Sequence, residues 1–184
     1  MAAYTRAIWV YHMPSEKKKL RFRKGVLPQH LRRRFVRLII ELYGEDVVSM
    51  IPTSLRYTCF EPGLCIVYEG DGKLNGSLTI LYEGPWIAFI PGKRIVPSIP
   101  LVSRIFREKG VKAAVLVKEQ GIKAFLYGNG ILPESVIKVI PPLKGVYAVV
   151  DPLDEEVVGF VEWSSIKNVY VNIYDAGVFL RKLG

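Results

Sequence analysis

The segment KAFLYGNGILPESVIKV, from Lys123 to Val139, constrains the fold more than any other part of this chain. Its apolar first part reads as a strand over Ile122 to Tyr127. Gly128-Asn129-Gly130 reads as a tight turn, because glycine admits backbone conformations that other residues avoid. Pro133 then opens a short segment whose spacing predicts a helix over Glu134 to Lys138. A strand, a glycine turn and a short helix in quick succession suit a small β-rich domain better than a helical bundle.

The surrounding text supports that reading. Lys112 to Val117, Val146 to Asp151, Val157 to Trp163 and Val169 to Ile173 are further short strands, and Tyr174 to Lys182 reads as a closing helix. Short, regularly spaced strands with few helices suggest a small barrel. Asp154-Glu155-Glu156 reads as a hairpin tip, not an acid/base pair.

The first part of the chain reads differently. Arg6 to His12 is a candidate strand, and Lys17 to Lys24 suits a half-exposed strand or a basic arm. Pro28 sits where a helix can start without losing a hydrogen bond. Leu31, Phe35, Leu38, Ile39 and Leu42 then recur at helical spacing up to a stop at Gly44. Arg32, Arg33 and Arg37 are expected to group away from this stripe, with Arg34 nearer its edge. Arg56 to Phe60, Leu64 to Glu69, Ser77 to Tyr82 and Trp86 to Ile90 are strand candidates separated by Pro/Gly turns. A second helix is expected from Ser98, as its N-cap, to Lys109, burying Leu101, Val102, Ile105 and Phe106. The expected fold class is α+β. An N-terminal α/β domain with an antiparallel sheet (residues 1–110) packs against a C-terminal barrel-like domain (residues 111–184).

Charge is segregated along the chain. Residues 1–44 hold 11 Lys plus Arg against Glu16 and Glu41, whereas residues 45–184 hold 15 cations and 15 carboxylates. The net charge of +9 therefore lies in the first quarter. Such a surplus marks a surface for a polyanion, nucleic acid first and acidic membrane second. Lys17, Lys18, Lys19, Arg32, Arg33 and Arg37 are the candidate phosphate contacts, since the planar guanidinium fork matches phosphate oxygens.

No motif for chemistry competes with binding. The glycine turn is not a dinucleotide fingerprint, because Pro133 stands where a third glycine is required. Gly92-Lys93-Arg94 lacks the other residues of a phosphate-binding loop and reads as a turn. His12, His30, Cys59 and Cys65 do not fall at zinc spacing, so no metal, cofactor or catalytic residue is expected. Both cysteines sit in apolar text and read as buried core thiols. No apolar run spans a bilayer, and the apolar-then-basic order at the N-terminus reverses that of a signal peptide. The chain therefore reads as cytoplasmic, and the Asn75-Gly76-Ser77 sequon as a turn. Two glutamines and four asparagines beside many Ile, Val, Arg and Lys hint at a thermophilic source.

Three phrases carry a family resemblance: KAFLYGNGIL (Lys123 to Leu132), Val157-Val158-Gly159-Phe160, and NVYVNIYDAGVFLRK (Asn168 to Lys182). In order and spacing the C-terminal text resembles a PUA domain, a small RNA-binding pseudo-barrel, and within that class the Nip-seven family of ribosome biogenesis factors. The resemblance implies a non-enzymatic protein that binds rRNA during large-subunit assembly, with ribosomal precursor particles or other assembly factors as partners. It also implies a C-terminal RNA site, to which Lys123, Tyr127, Gly128, Asn129, Gly130, Lys144, Lys167 and Tyr174 are assigned. Among the tyrosines, Tyr174 is favoured for base stacking because it is expected at a helix start near Lys167. The chain departs from the family where several basic residues precede the final helix, having only Lys167 there. An RNA-modification enzyme or its accessory, and a translation-factor-like ribosome adaptor, are the alternatives. The 110 residues outside the C-terminal domain are short for a catalytic domain.

Overall fold

The computed structural model describes residues 22–60, 64–70, 84–142 and 145–177. The candidate strands at 6–12 and 77–82, the basic run 17–21, the sequon and most of the expected closing helix lie outside them. The chain divides into two compact units, one holding residues up to 36 and 51–98, the other 37–50 and 99 onward.

In the first unit, β1 (Phe22–Val26), β2 (Leu55–Phe60), β3 (Leu64–Glu69), β4 (Trp86–Pro91) and β5 (Val96–Pro97) form an antiparallel sheet in that order. Cys59 and Cys65 face each other across β2 and β3 and are joined as a disulfide. This corrects the expectation of two free core thiols. The six-residue separation looks unpromising along the chain, but a hairpin brings the two positions into register. The hydroxyl of Ser98, expected as an N-cap, donates to the Trp86 carbonyl at 2.7 Å.

Helix α1 (Gln29–Tyr43) follows Pro28 and ends before Gly44, whose φ of 104° only glycine adopts readily. Its buried positions are Phe35, Ile39, Leu42 and Tyr43. The arginines are distributed differently from the expectation. Arg32 lies three residues before Phe35 and seven before Ile39, which is the buried stripe. It is half-buried, and its Nε has no hydrogen-bond partner among the described residues. Arg33, Arg34 and Arg37 are the exposed three.

In the second unit, a 3-10 turn (Glu45–Met50) and helix α2 (Ile99–Lys109) accompany a mixed sheet. The sheet contains β6 (Ala114–Val117), β7 (Val136–Ile140), β8 (Val146–Val150), β9 (Val157–Ser164) and β10 (Val169–Asp175), in the order β10-β9-β8-β6-β7. Among the described strands only β6 and β8 pair in parallel. Every residue of the central β8 is buried. Helix α2 buries Leu101, Val102, Ile105 and Phe106, as its periodicity predicts. The Asp154 to Glu156 segment is the β8–β9 hairpin tip, closed by a bond from the Asp151 N–H to the Glu156 carbonyl.

Three expectations in this unit are overturned. Ile122 to Tyr127 is not a strand: helix α3 (Glu119–Leu126) occupies it. The expected helix at Glu134 is only a 3-10 turn (Pro133–Ser135) leading into β7. The expected closing helix does not start at Tyr174 either, since Tyr174 and Asp175 complete β10 and Ala176-Gly177 turn after it.

Tyr43 offers a test of this unit's packing. Its ring meets Phe106 edge-on at 6.0 Å, and its hydroxyl is buried with no hydrogen-bond partner among the described residues. Burial holds its phenol far above the ordinary tyrosine pKa of about 10. An unfolded chain loses that proton first, so the contribution is fully present below pH ~10 and declines as the pH rises beyond it. Tyr43→Phe should stabilise the protein by about 1 kcal/mol at pH 8, by removing an unsatisfied buried hydroxyl. It should also flatten the alkaline decline. Urea melts of both proteins at pH 8 and pH 10.5 check this, and a less stable phenylalanine variant would refute it.

Candidate nucleic-acid interface

The C-terminal site is built on the end of α3. The Gly128 N–H donates to the Phe125 carbonyl at 2.8 Å, and the Asn129 N–H to the Ala124 carbonyl at 3.2 Å. With Gly128 at φ 90°, this is a Schellman cap, the commonest way for a helix to satisfy its last carbonyls. The glycine turn is thus a helix C-terminus. A helix signal was present in the sequence: Glu119 and Lys123 stand four apart and pair at 2.6 Å, and Ile122 and Phe125 share the buried face.

After the cap the chain crosses to β10. Ile131 and Tyr170 exchange backbone hydrogen bonds of 2.8 and 2.9 Å. The segment leading into β7 therefore pairs with the opposite edge strand of the sheet, which closes the pseudo-barrel. Gly130 makes this approach possible, because a Cβ there would sit 2.9 Å from the Tyr170 carbonyl oxygen. Asn172 ties the same region down. Its Nδ2 donates to the Phe125 carbonyl (3.1 Å), to the Asn129 carbonyl (3.4 Å) and to the buried Asp175 carboxylate (2.9 Å).

These restraints decide which of the assigned residues face outward. Tyr127 is the helix C-cap and 77% exposed, with exposed Asn129 beside it and Leu132 beyond. Tyr174, favoured for stacking from the sequence, is half-buried within β10. Tyr170 packs against Trp163 at 4.8 Å and Tyr147 at 6.1 Å, so its ring is engaged inside the domain. Lys123 is exposed and paired with Glu119; the pair lowers the carboxyl pKa and raises that of the ammonium. Lys167 is exposed at the β9–β10 turn. Lys17, Lys18, Lys19 and Lys144 lie outside the described residues. Leu132 is the rim residue that the sequence reading did not single out, and a leucine between a turn and Pro133 carries no signal of exposure. Among the described residues no cluster of His, Cys, Asp and Glu could hold a metal ion. No described helix is long and apolar enough to cross a membrane.

Residues 113–184 match the family described as UPF0113 PUA domain. No curated protein matches the chain. Solved structures share the fold at low identity. A hypothetical protein from the hyperthermophilic archaeon Pyrococcus horikoshii OT3 is 12% identical with a TM-score of 0.63, covering 83% of this chain and 94% of its own. A conserved PUA domain protein from Thermoplasma acidophilum is 15% identical with a TM-score of 0.57, covering 88% and 99%. A PUA domain from Aeropyrum pernix K1, solved as a tartrate complex, is 17% identical with a TM-score of 0.52, covering 89% and 91%. The chain is thus an α+β protein with a PUA domain at 113–184, and PUA domains generally bind RNA.

Closure of the domain through Ile131 and Tyr170 has a direct consequence. Gly130→Ala places a methyl group against backbone that cannot move aside, and should destabilise the protein by about 1–3 kcal/mol, the usual cost of overpacking. Thermal denaturation of the variant reads this out. An unchanged melting temperature would mean that the bridge is dispensable.

Proposed function

We propose that this protein is a non-enzymatic RNA-binding factor that holds rRNA during ribosome biogenesis. The observation that carries the reading is an exposed aromatic ring, Tyr127, fixed on the Schellman cap of a PUA domain. The cap immobilises the Tyr127 backbone in advance, so little conformational entropy remains to be lost when a base stacks on its ring. The Asn129 side-chain amide carries both a donor and acceptors and suits the edge of an unpaired base. Lys123, Lys144 and Lys167 add attraction for the backbone, and the basic N-terminal quarter adds more. The ribosomal role rests on the likeness of KAFLYGNGIL, Val157 to Phe160 and NVYVNIYDAGVFLRK to the Nip-seven family.

A cytoplasmic, thermophilic setting accompanies this proposal. Disulfides are rare in the cytosol of mesophiles but common inside hyperthermophiles, and Cys59–Cys65 fits the second case.

Titration of the full chain with a fluorescent single-stranded RNA tests the binding. Tyr127→Ala should weaken it by about 1–3 kcal/mol, the range for loss of one base–aromatic stack. Its melting temperature should stay the same. If about six phosphates are neutralised, the log–log salt slope should be about −4. Full affinity in Tyr127→Ala would remove the ring from the site. Co-sedimentation with precursor but not mature ribosomal particles tests the biogenesis role. Modified nucleosides in RNA incubated with the pure protein would point to an enzyme instead.

A further inference from the structure

The first unit brings several of its cations to one end of its sheet. Its described residues carry eight cationic side chains (Arg23, Lys24, Arg32, Arg33, Arg34, Arg56, Lys93 and Arg94), and Glu69 is the one carboxylate among them. Strand register shows how several of these converge. Arg23 lies opposite Cys59, Cys59 opposite Cys65, and Cys65 opposite Ile90, so the four form one row across β1 to β4. Immediately after β4 comes the turn Gly92-Lys93-Arg94, at that same end of the sheet. Helix α1 reaches it too, because the Arg34 guanidinium donates to the Lys93 carbonyl at 3.2 Å. That bond uses one of the five N–H donors of the fork. The turn is open on its outer side: Gly92 has φ 63°, and a Cβ on it would meet nothing within 4 Å. Arg23, Arg34, Lys93 and Arg94 are all exposed.

The geometry points to a second contact for the RNA backbone, formed by Arg23, Arg34, Lys93 and Arg94 on this end of the first unit's sheet. The inference rests on the RNA-binding reading above and assigns it a site that neither the glycine turn nor the N-terminal lysine run contains. Three strand spacings separate β1 from β4, roughly 14 Å. That span exceeds a single phosphate and suits successive phosphates of one strand. Arginine predominates, as fits forked contacts with phosphate oxygens. Contacts of this kind to phosphate add affinity and register without themselves reading sequence. The Cys59–Cys65 disulfide ties the two middle strands of the row together.

The test compares the full chain with Lys93→Gln/Arg94→Gln, titrating a 20-nucleotide single-stranded RNA and, separately, vesicles containing acidic lipid. Loss of two backbone contacts should weaken RNA binding about 25-fold in 0.1 M salt and reduce the salt slope by about 1.4. Tyr127→Ala should lower affinity with the slope unchanged, which separates the two sites. The charge-preserving pair Lys93→Arg/Arg94→Lys should restore most of the affinity. Should the double variant fold poorly, Lys93→Gln alone should still reduce the slope by about 0.7. Wild-type affinity and slope in the double variant, with Tyr127→Ala still impaired, would overturn this site and leave RNA binding by the PUA domain standing. Failure of the wild-type chain to bind RNA would overturn both. Vesicle binding that depends on Lys93 and Arg94, without RNA binding, would reassign the patch to a membrane surface and overturn the inference.

Discussion

The C-terminal domain depends on one pair of backbone hydrogen bonds, those between Ile131 and Tyr170. They join the segment entering β7 to β10, the far edge of the sheet, and pair amides that would otherwise stand open there. Much of the local sequence serves that junction. Gly128 ends α3 in a conformation that other residues reach only with strain. Gly130 lets the two backbones touch. Asn172 links the cap to β10 and gives the buried Asp175 carboxylate a donor, which a charge at that depth requires. The core residues Val115, Ile122, Phe125, Ile131, Tyr147, Val149 and Val161 pack as one cluster around this frame.

The same junction creates the candidate site. A chain that must leave a helix and return at once to a strand cannot bury every side chain on the way. Tyr127 and Leu132 are left outside, at either end of Gly128 to Ile131. Architecture and interface are therefore products of a single constraint. In the first unit the corresponding device is the β2–β3 hairpin, clamped by its disulfide.

Much of the fold was legible in the sequence. Helices α1 and α2 carry long apolar stripes with proline near the start and glycine after the end, and both fall where those signals place them. Strands β2, β3, β4, β8, β9 and β10 follow from β-branched and aromatic runs between turns. Helix α3 was misread because Ile-Lys-Ala-Phe-Leu-Tyr is short and rich in strand-favouring residues. Over six residues, periods of 2 and 3.6 are hard to tell apart. A strand reading of α3 makes its cap a tight strand-to-helix turn and turns the following strand into a helix. The arginines of α1 were misassigned for a related reason. Arg32 sits at the correct spacing from Phe35 and Ile39 to share their face, yet its charge suggests the opposite side.

What the sequence by itself determined is the inventory: a surplus of charge confined to the first quarter, glycines where the backbone has to turn or touch, and the order of a PUA domain. These are properties of residue type and position along the chain, and survive any error in secondary structure. Tertiary structure decided which of three tyrosines is available to stack, that two cysteines six apart are bonded, and that Arg34 of a helix meets Lys93 of a distant turn. Each of those depends on strand register or on closure of a sheet. Both are set by contacts between residues far apart in the chain, which local pattern does not encode.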